Sequence, residues 1–91
     1  MDTLDAMRTF LAVADRRSFA AAARDLRLSA AAVTRAVAML EDDLGTSLLH
    51  RTTRAVRLTE RGALYAERCR ALLSDHDDLR AAVRGSYDEP G

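Results

Sequence analysis

Arg51, Arg54, Arg57 and Arg61 fall within residues 48–62, opposed there by the single acid Glu60, a local balance of four minus one. Thr52 and Thr53 lie between the first two. Guanidinium forks pair with phosphate oxygens, and hydroxyls add further donors, so this set suits contact with a phosphate backbone. An arginine-rich loop standing alone is commonly just solvated. This one follows a second cluster, Ser29-Ala30-Ala31 with Thr34, Arg35 and Ala38, whose side chains are small and carry one charge. At 100° per residue, Ala31, Thr34, Arg35 and Ala38 share the face of a helix opposite Val33, Val37, Leu40 and Leu44. A slim, weakly charged face lets a helix sit deep in a groove about 12 Å wide. Residues of these types suit reading base edges and holding phosphates.

The elements that must position these residues follow from spacing and caps. Leu4, Met7, Leu11 and Ala14, widened by Phe10, predict a first helix over residues 4–16 capped by Asp2 or Thr3, its apolar stripe facing the core. Ser18 caps a second helix from Phe19 to about Leu26, whose alanines allow a close corner with the third. Arg27 stands where such corners favour a residue tolerant of positive φ, which implies local strain. Ser29 caps a third helix over residues 30–44, which Gly45 ends as its C′ residue. Residues 47–51 and 55–58 form two short strands, with Leu49, Val56 and Leu58 toward the core and Arg51 and Arg57 pointing away or along the rim. A helix–turn–helix followed by a basic hairpin is an arrangement for reading DNA, with the N-terminal residues of its second helix nearest the bases.

Thr59 caps a last helix expected to continue to about Tyr87. Tyr65, Cys69, Leu72, His76, Leu79 and Val83 recur along it at alternating steps of four and three, a coiled-coil type of seam. The seam packs either on the first helix of the same chain or on a second copy. A helix of this length beside so small a body favours the dimer. The fold class is therefore mainly α: three helices and a short two-stranded β wing, followed by a long linker or dimerisation helix. Residues 1–58 form the winged unit, 59–87 the linker helix and 88–91 a frayed tail.

Composition sets the remaining bounds. Ninety-one residues make one small domain whose stability a partner subunit would raise. Fourteen basic and fourteen acidic residues cancel, and all fourteen bases are arginine. The acids gather away from the wing, at Glu41, Asp42, Asp43, Asp75, Asp77, Asp78, Asp88 and Glu89, so a basic face persists at zero net charge. Cys69 is the one cysteine, which excludes an internal disulfide. His50 and His76 have no ligand-spaced neighbours, so neither a metal nor a cofactor is expected. No run reaches the roughly 18 apolar residues of a membrane span, and no signal pattern opens the chain, which predicts a cytoplasmic location. No nucleophile–base pair, carboxylate dyad or phosphate-cradling glycine loop marks an enzyme.

Two segments, MDTLDAMRTFLAVADRRSFAAAARDLRLS and VTRAVAMLEDDLGTSLLHRTTRAVRLTERG, carry Ser-Phe-x-x-Ala-Ala, Leu-Glu-x-x-Leu-Gly, Leu-Leu-x-Arg-Thr and Leu-Thr-x-x-Gly in order. On these motifs the chain resembles the N-terminal DNA-binding domain of LysR-type transcriptional regulators over nearly its whole length. The resemblance implies a winged helix–turn–helix, a linker helix pairing antiparallel with its dimer mate, and binding to imperfect palindromes in double-stranded promoter DNA. It places Thr34 and Arg35 at bases and phosphates, Arg51, Thr52 and Arg54 in a wing reaching the backbone and minor groove, and Ser29 at the start of the recognition helix. Where the family usually has Gln-Pro or a similar pair, this chain has Ala30-Ala31, which makes direct readout poorer or shifts it toward thymine methyls. It also implies a larger effector-binding domain beyond this chain, the place where a small-molecule ligand would act. The competing reading is a protein-interaction or dimerisation module that keeps the winged shape without DNA function, motivated by zero net charge and Ala30-Ala31.

Overall fold

The computed structural model describes residues 1–85. The elements run α1 (Thr3–Arg16), α2 (Phe19–Leu26), α3 (Ala30–Leu44), β1 (Leu49–Arg51), β2 (Val56–Leu58) and α4 (Glu60–Arg84). Each helix begins on an oxygen that satisfies an orphan amide. Asp2 accepts from the Asp5 N–H at 2.8 Å, Ser18 from Ala21 at 3.0 Å, Ser29 from Ala32 at 3.0 Å and Thr59 from Gly62 at 2.8 Å. Each helix also ends in a left-handed residue: Arg17 (φ 52), Arg27 (φ 58), Gly45 (φ 69) and Gly85 (φ 71). The strain expected at Arg27 is present, and Arg17 repeats it. Gly85 stops α4 by donating to the Ala81 carbonyl. The expectations of a helix reaching Tyr87 and of a tail at 88–91 lie outside the described residues.

α1 is the hub, packed against α2 and α3 on one side and α4 on the other. Its deepest residues are Ala6, Thr9, Phe10 and Val13, not the expected stripe: Leu4, Met7, Leu11 and Ala14 are only half-buried. Being covered from two sides rather than one shifts the deepest face toward the small Ala6, which lets neighbouring helices approach. Val33, Ala36, Val37 and Leu40 carry the α3 side of the core. Leu44, expected there, is 44% exposed as the last residue of α3.

The wing pairs Leu49 with Leu58, His50 with Arg57 and Arg51 with Val56 in one antiparallel ladder. Both strands are shorter than the sequence predicts, and the hydrogen bonds say why. Ser47 and Leu48 give their backbone groups elsewhere: Leu48 N–H donates to Glu41 Oε2 (2.8 Å), Leu48 O accepts from Thr59 N–H (3.0 Å), and Ser47 O accepts from the Thr59 hydroxyl (2.8 Å). Ala55 is spent on the turn, its carbonyl accepting from Thr52 N–H at 2.9 Å. Gly62 faces the Leu48 carbonyl so closely that a Cβ would lie 1.9 Å from its oxygen.

Candidate nucleic-acid interface

The face of α3 that the sequence marks out is on the surface. Ser29, Ala30, Ala31, Thr34, Arg35 and Ala38 are all exposed, while Val33, Ala36 and Val37 anchor the opposite side in the core. Ser29 Oγ accepts the Ala32 N–H, and its hydroxyl donates to no acceptor among the described residues. Side chains on this face are short except for Arg35.

In the wing, Arg51, Thr52, Thr53, Arg54 and Arg57 are exposed. Strand alternation puts Arg57 on one face with His50, and Arg51 on the other with Leu49 and Leu58. Arg51 therefore reaches back over the body rather than away from it, and its guanidinium carbon lies 4.4 Å from the centroid of the Phe19 ring. The Thr52 hydroxyl is less free than expected. It accepts from the amides of Arg54 (3.2 Å) and Ala55 (3.0 Å) and lies 3.4 Å from the Ala55 carbonyl, so it builds the turn. Thr53 makes no such bond among the described residues and remains available.

Ion pairs sort the arginines into two groups. Arg8 pairs with Asp77, Arg16 with Asp25 and Arg70 with Asp15. Among the described residues no carboxylate pairs with Arg35, Arg51, Arg54 or Arg57. The three paired arginines lie on α1 and α4, and every arginine of α3 and of the wing is without a carboxylate partner among the described residues, as are several on α2 and α4. Zero net charge thus coexists with exposed arginines on α3 and the wing that no carboxylate pairs among the described residues, a local field that can attract phosphate.

Two residues the sequence reading did not assign hold this surface together. Glu41, which the sequence marks only as an acid, takes the Leu48 and Leu49 amides on Oε2 at 2.8 and 3.3 Å, pinning the start of the wing to α3. Phe19 carries Arg51. The Leu-Glu-x-x-Leu-Gly and Ser-Phe spacings contained both residues, but periodicity alone gave neither a partner.

The expected seam of α4 divides. Tyr65 packs against Phe10, ring centroids 5.5 Å apart and tilted 58°, and Cys69 is 2% exposed. Burial pushes the Tyr65 hydroxyl up to about 12, with Cys69 and Asp43 adding to the shift, and burial also raises the Cys69 thiol. His76 is half-buried, with Nδ1 3.8 Å from Asp77 Oδ1. Leu72, Leu79 and Val83 are instead exposed at 48%, 62% and 78%. Cys69 is therefore corrected to a core residue of its own chain. The buried face of α4 is that of Gly62, Ala66, Cys69 and Leu73, which overlaps one edge of the seam; Gly62 lies against Leu48, and α1 packs on the helix. Beyond Leu73, His76 alone among residues 74–84 is less than exposed. The pairs Asp15–Arg70 and Arg8–Asp77 set α1 and α4 antiparallel, and Arg70 holds the Asp15 carboxyl below its usual range by hydrogen bond and charge. Among the described residues no group of three or more His, Cys, Asp or Glu could hold a metal ion, and no helix is long and apolar enough to cross a membrane.

Known proteins share this arrangement. The bacterial regulatory helix-turn-helix protein, lysR family, matches residues 4–63. An HTH-type transcriptional repressor of Pseudomonas aeruginosa is 47% identical over 90 residues, 99% of this chain and 28% of the repressor. The HTH-type transcriptional activator AaeR of Escherichia coli is 40% identical over 90 residues, 99% of this chain and 29% of the activator. The chain thus spans less than a third of the length of these relatives. The crystal structure of a CbnR_DBD–DNA complex superposes with a TM-score of 0.88 at 33% identity, covering 97% of this chain and 100% of that one. A BenM_DBD complex with catB site 1 DNA gives 0.89 at 30% identity, covering both chains fully. With the match extending over most of its length, this chain belongs to the LysR family of bacterial regulatory helix-turn-helix proteins.

Proposed function

We propose that this chain binds double-stranded promoter DNA as the DNA-reading part of a transcription regulator. α3 enters the major groove, and the wing lies on the backbone and minor groove. The observation that carries the reading is the exposed, short-chained face of α3 beside wing arginines that no carboxylate pairs among the described residues. Ala30, Ala31, Thr34, Arg35 and Ala38 face base edges, with Ser29 at the helix start. Arg51, Arg54, Arg57 and Thr53 hold phosphates, while Thr52 shapes the turn that presents them. The two relatives crystallised on DNA, at 33% and 30% identity, support the same assignment.

The functional unit is a homodimer on an imperfect palindrome. The exposed stripe of Leu72, Leu79 and Val83 on α4 supports pairing with a second copy, because three large apolar side chains on a free helix face are costly in water. Residues 1–58 then serve as the reading unit and α4 (Glu60–Arg84) as the dimerisation helix, with effector control residing in a further domain such as the longer relatives have room for.

Selection of bound sites from random duplex DNA, titrated at two salt concentrations, tests the reading. A two-fold-symmetric motif is expected. For roughly eight phosphates neutralised per dimer, log K should fall with log salt at a slope near about −7. Binding blind to sequence, or no binding, would instead favour a winged interaction module. Light scattering on the same sample reads the dimer separately.

A further inference from the structure

We infer that Phe19 is a positioning residue for DNA binding that acts through Arg51, its ring holding the guanidinium of the wing flat and charged for a phosphate. The inference rests on the DNA-binding reading above and adds to it a residue with no contact of its own to DNA.

The contact follows from local structure on both sides. Ser18 fixes the start of α2 by accepting the Ala21 amide at 3.0 Å, so the position of Phe19 as first residue of that helix is set. The Phe19 ring is half-buried and packs against the core, which restricts its movement. Arg51 ends β1 on the sheet face shared with Leu49 and Leu58, so its stem runs back over the body and its guanidinium carbon settles 4.4 Å from the ring centroid. That separation is inside the roughly 6 Å reach of a cation–π contact.

The chemistry of this contact differs from that of every arginine ion pair among the described residues. Arg8, Arg16 and Arg70 are ordered by carboxylates, which also cancel their charge and occupy their N–H groups. A ring ordering a guanidinium uses only its flat face. The five in-plane N–H donors stay unspent, and the full positive charge remains. Arg51 is thus pre-organised without being neutralised, and the rotamer entropy it would lose on gripping a phosphate is already lost in the free chain. The same stack ties the wing directly to the helix–turn–helix, so both present their contacts in a fixed relation.

The test compares dissociation constants of the wild-type chain, Phe19→Leu, Arg51→Ala and the double variant on one selected duplex at fixed salt. Phe19→Leu is expected to weaken binding about threefold in the wild-type background and to change nothing once Arg51 is alanine. Phe19→Tyr, which keeps the ring, should restore wild-type affinity. A purely structural role would cost the same in both backgrounds, and that outcome overturns the inference. So does a Phe19→Leu chain that binds like wild type. A readout that needs no variant to fold is the chemical shift of the Arg51 δ and ε protons in the wild-type chain. Ring current should move them upfield both free and on DNA, and return to ordinary values on binding would also overturn the role. A wild-type chain that binds no duplex in a salt-dependent way would refute the DNA reading itself. Wild-type binding with independent effects of the two residues refutes only the positioning.

Discussion

Arg35 and Arg54 are both exposed and unpaired among the described residues, yet their positions give them different work. Arg35 projects from the face of α3 that carries Ala31 and Thr34, which we propose meets base edges, whereas Arg54 sits in the turn of the wing, which we propose meets phosphate. Arg35→Ala should weaken binding and blur one position of the selected site, with a loss of about 1–3 kcal/mol for the preferred base. Arg54→Ala should weaken all duplexes about equally and flatten the salt slope by about 1 per half-site. Competitive binding to a panel of single-base variants at two salt concentrations separates the two effects. An Arg35→Ala chain that kept its sequence preference would remove the readout assignment. Gly62 makes a different residue-level demand. A Cβ there would lie 1.9 Å from the Leu48 carbonyl oxygen, a backbone atom that cannot swing aside. Gly62→Ala should cost about 1–3 kcal/mol in urea unfolding by forcing α4 away from the root of the wing.

Among the elements, the wing is the least self-sufficient. Two strands of three residues each cannot hold their own register in water. Their root is held from outside by Glu41 on α3 and by Thr59 at the start of α4, both bonded to the Ser47-Leu48 backbone. Leu48 is 1% exposed, so its amide has no water to turn to if Glu41 is removed. Glu41→Ala should therefore destabilise the fold by about 1–3 kcal/mol, and it should loosen the wing before the helices. Hydrogen exchange at the Leu48 and Leu49 amides checks this: faster exchange there, with α1 protection unchanged, is the expected pattern. Uniform acceleration across all helices would mean that Glu41 serves global stability alone.

For the whole molecule, α4 connects two tasks: its first half completes the core and its second half stays on the surface. Tyr65 reports on the first task. Its folded pKa, pushed up to about 12 from an ordinary 10.0, means the folded chain favours the neutral hydroxyl. The stability this provides is fully present below pH 10, declines as pH rises above that, and is lost once pH passes about 12. Tyr65→Phe should flatten that alkaline limb in thermal melts taken from pH 8 to 12. A limb of unchanged steepness would assign it to other groups, of which Cys69, also raised by burial, is the first to test. Leu79 reports on the second task. At 62% exposure it contributes little to the single chain, so Leu79→Asp should leave the fold intact while shifting a dimer to monomer in light scattering. Unchanged mass would place the dimer contact elsewhere.

Local decisions were legible along the chain. Ser18, Ser29 and Thr59 mark helix starts because a hydroxyl next to an orphan amide is a short-range fact. Gly45 marks an end for the same kind of reason, and the small face of α3 follows from 100° per residue alone. The spaced motifs then carried the family assignment that the comparisons show. Tertiary structure decided what depends on neighbours distant in the chain. It turned α1 so that Ala6 and Val13 lie deeper than Leu4 and Leu11, because two sides are covered rather than one. Cys69 moved from an expected interface into the core, and Ser47 and Leu48 were taken out of the strand, because α1, Glu41 and Thr59 reach those residues first. It also laid Arg51 on Phe19, 32 positions apart, a partnership set by where a strand and a helix meet and by no spacing along the chain.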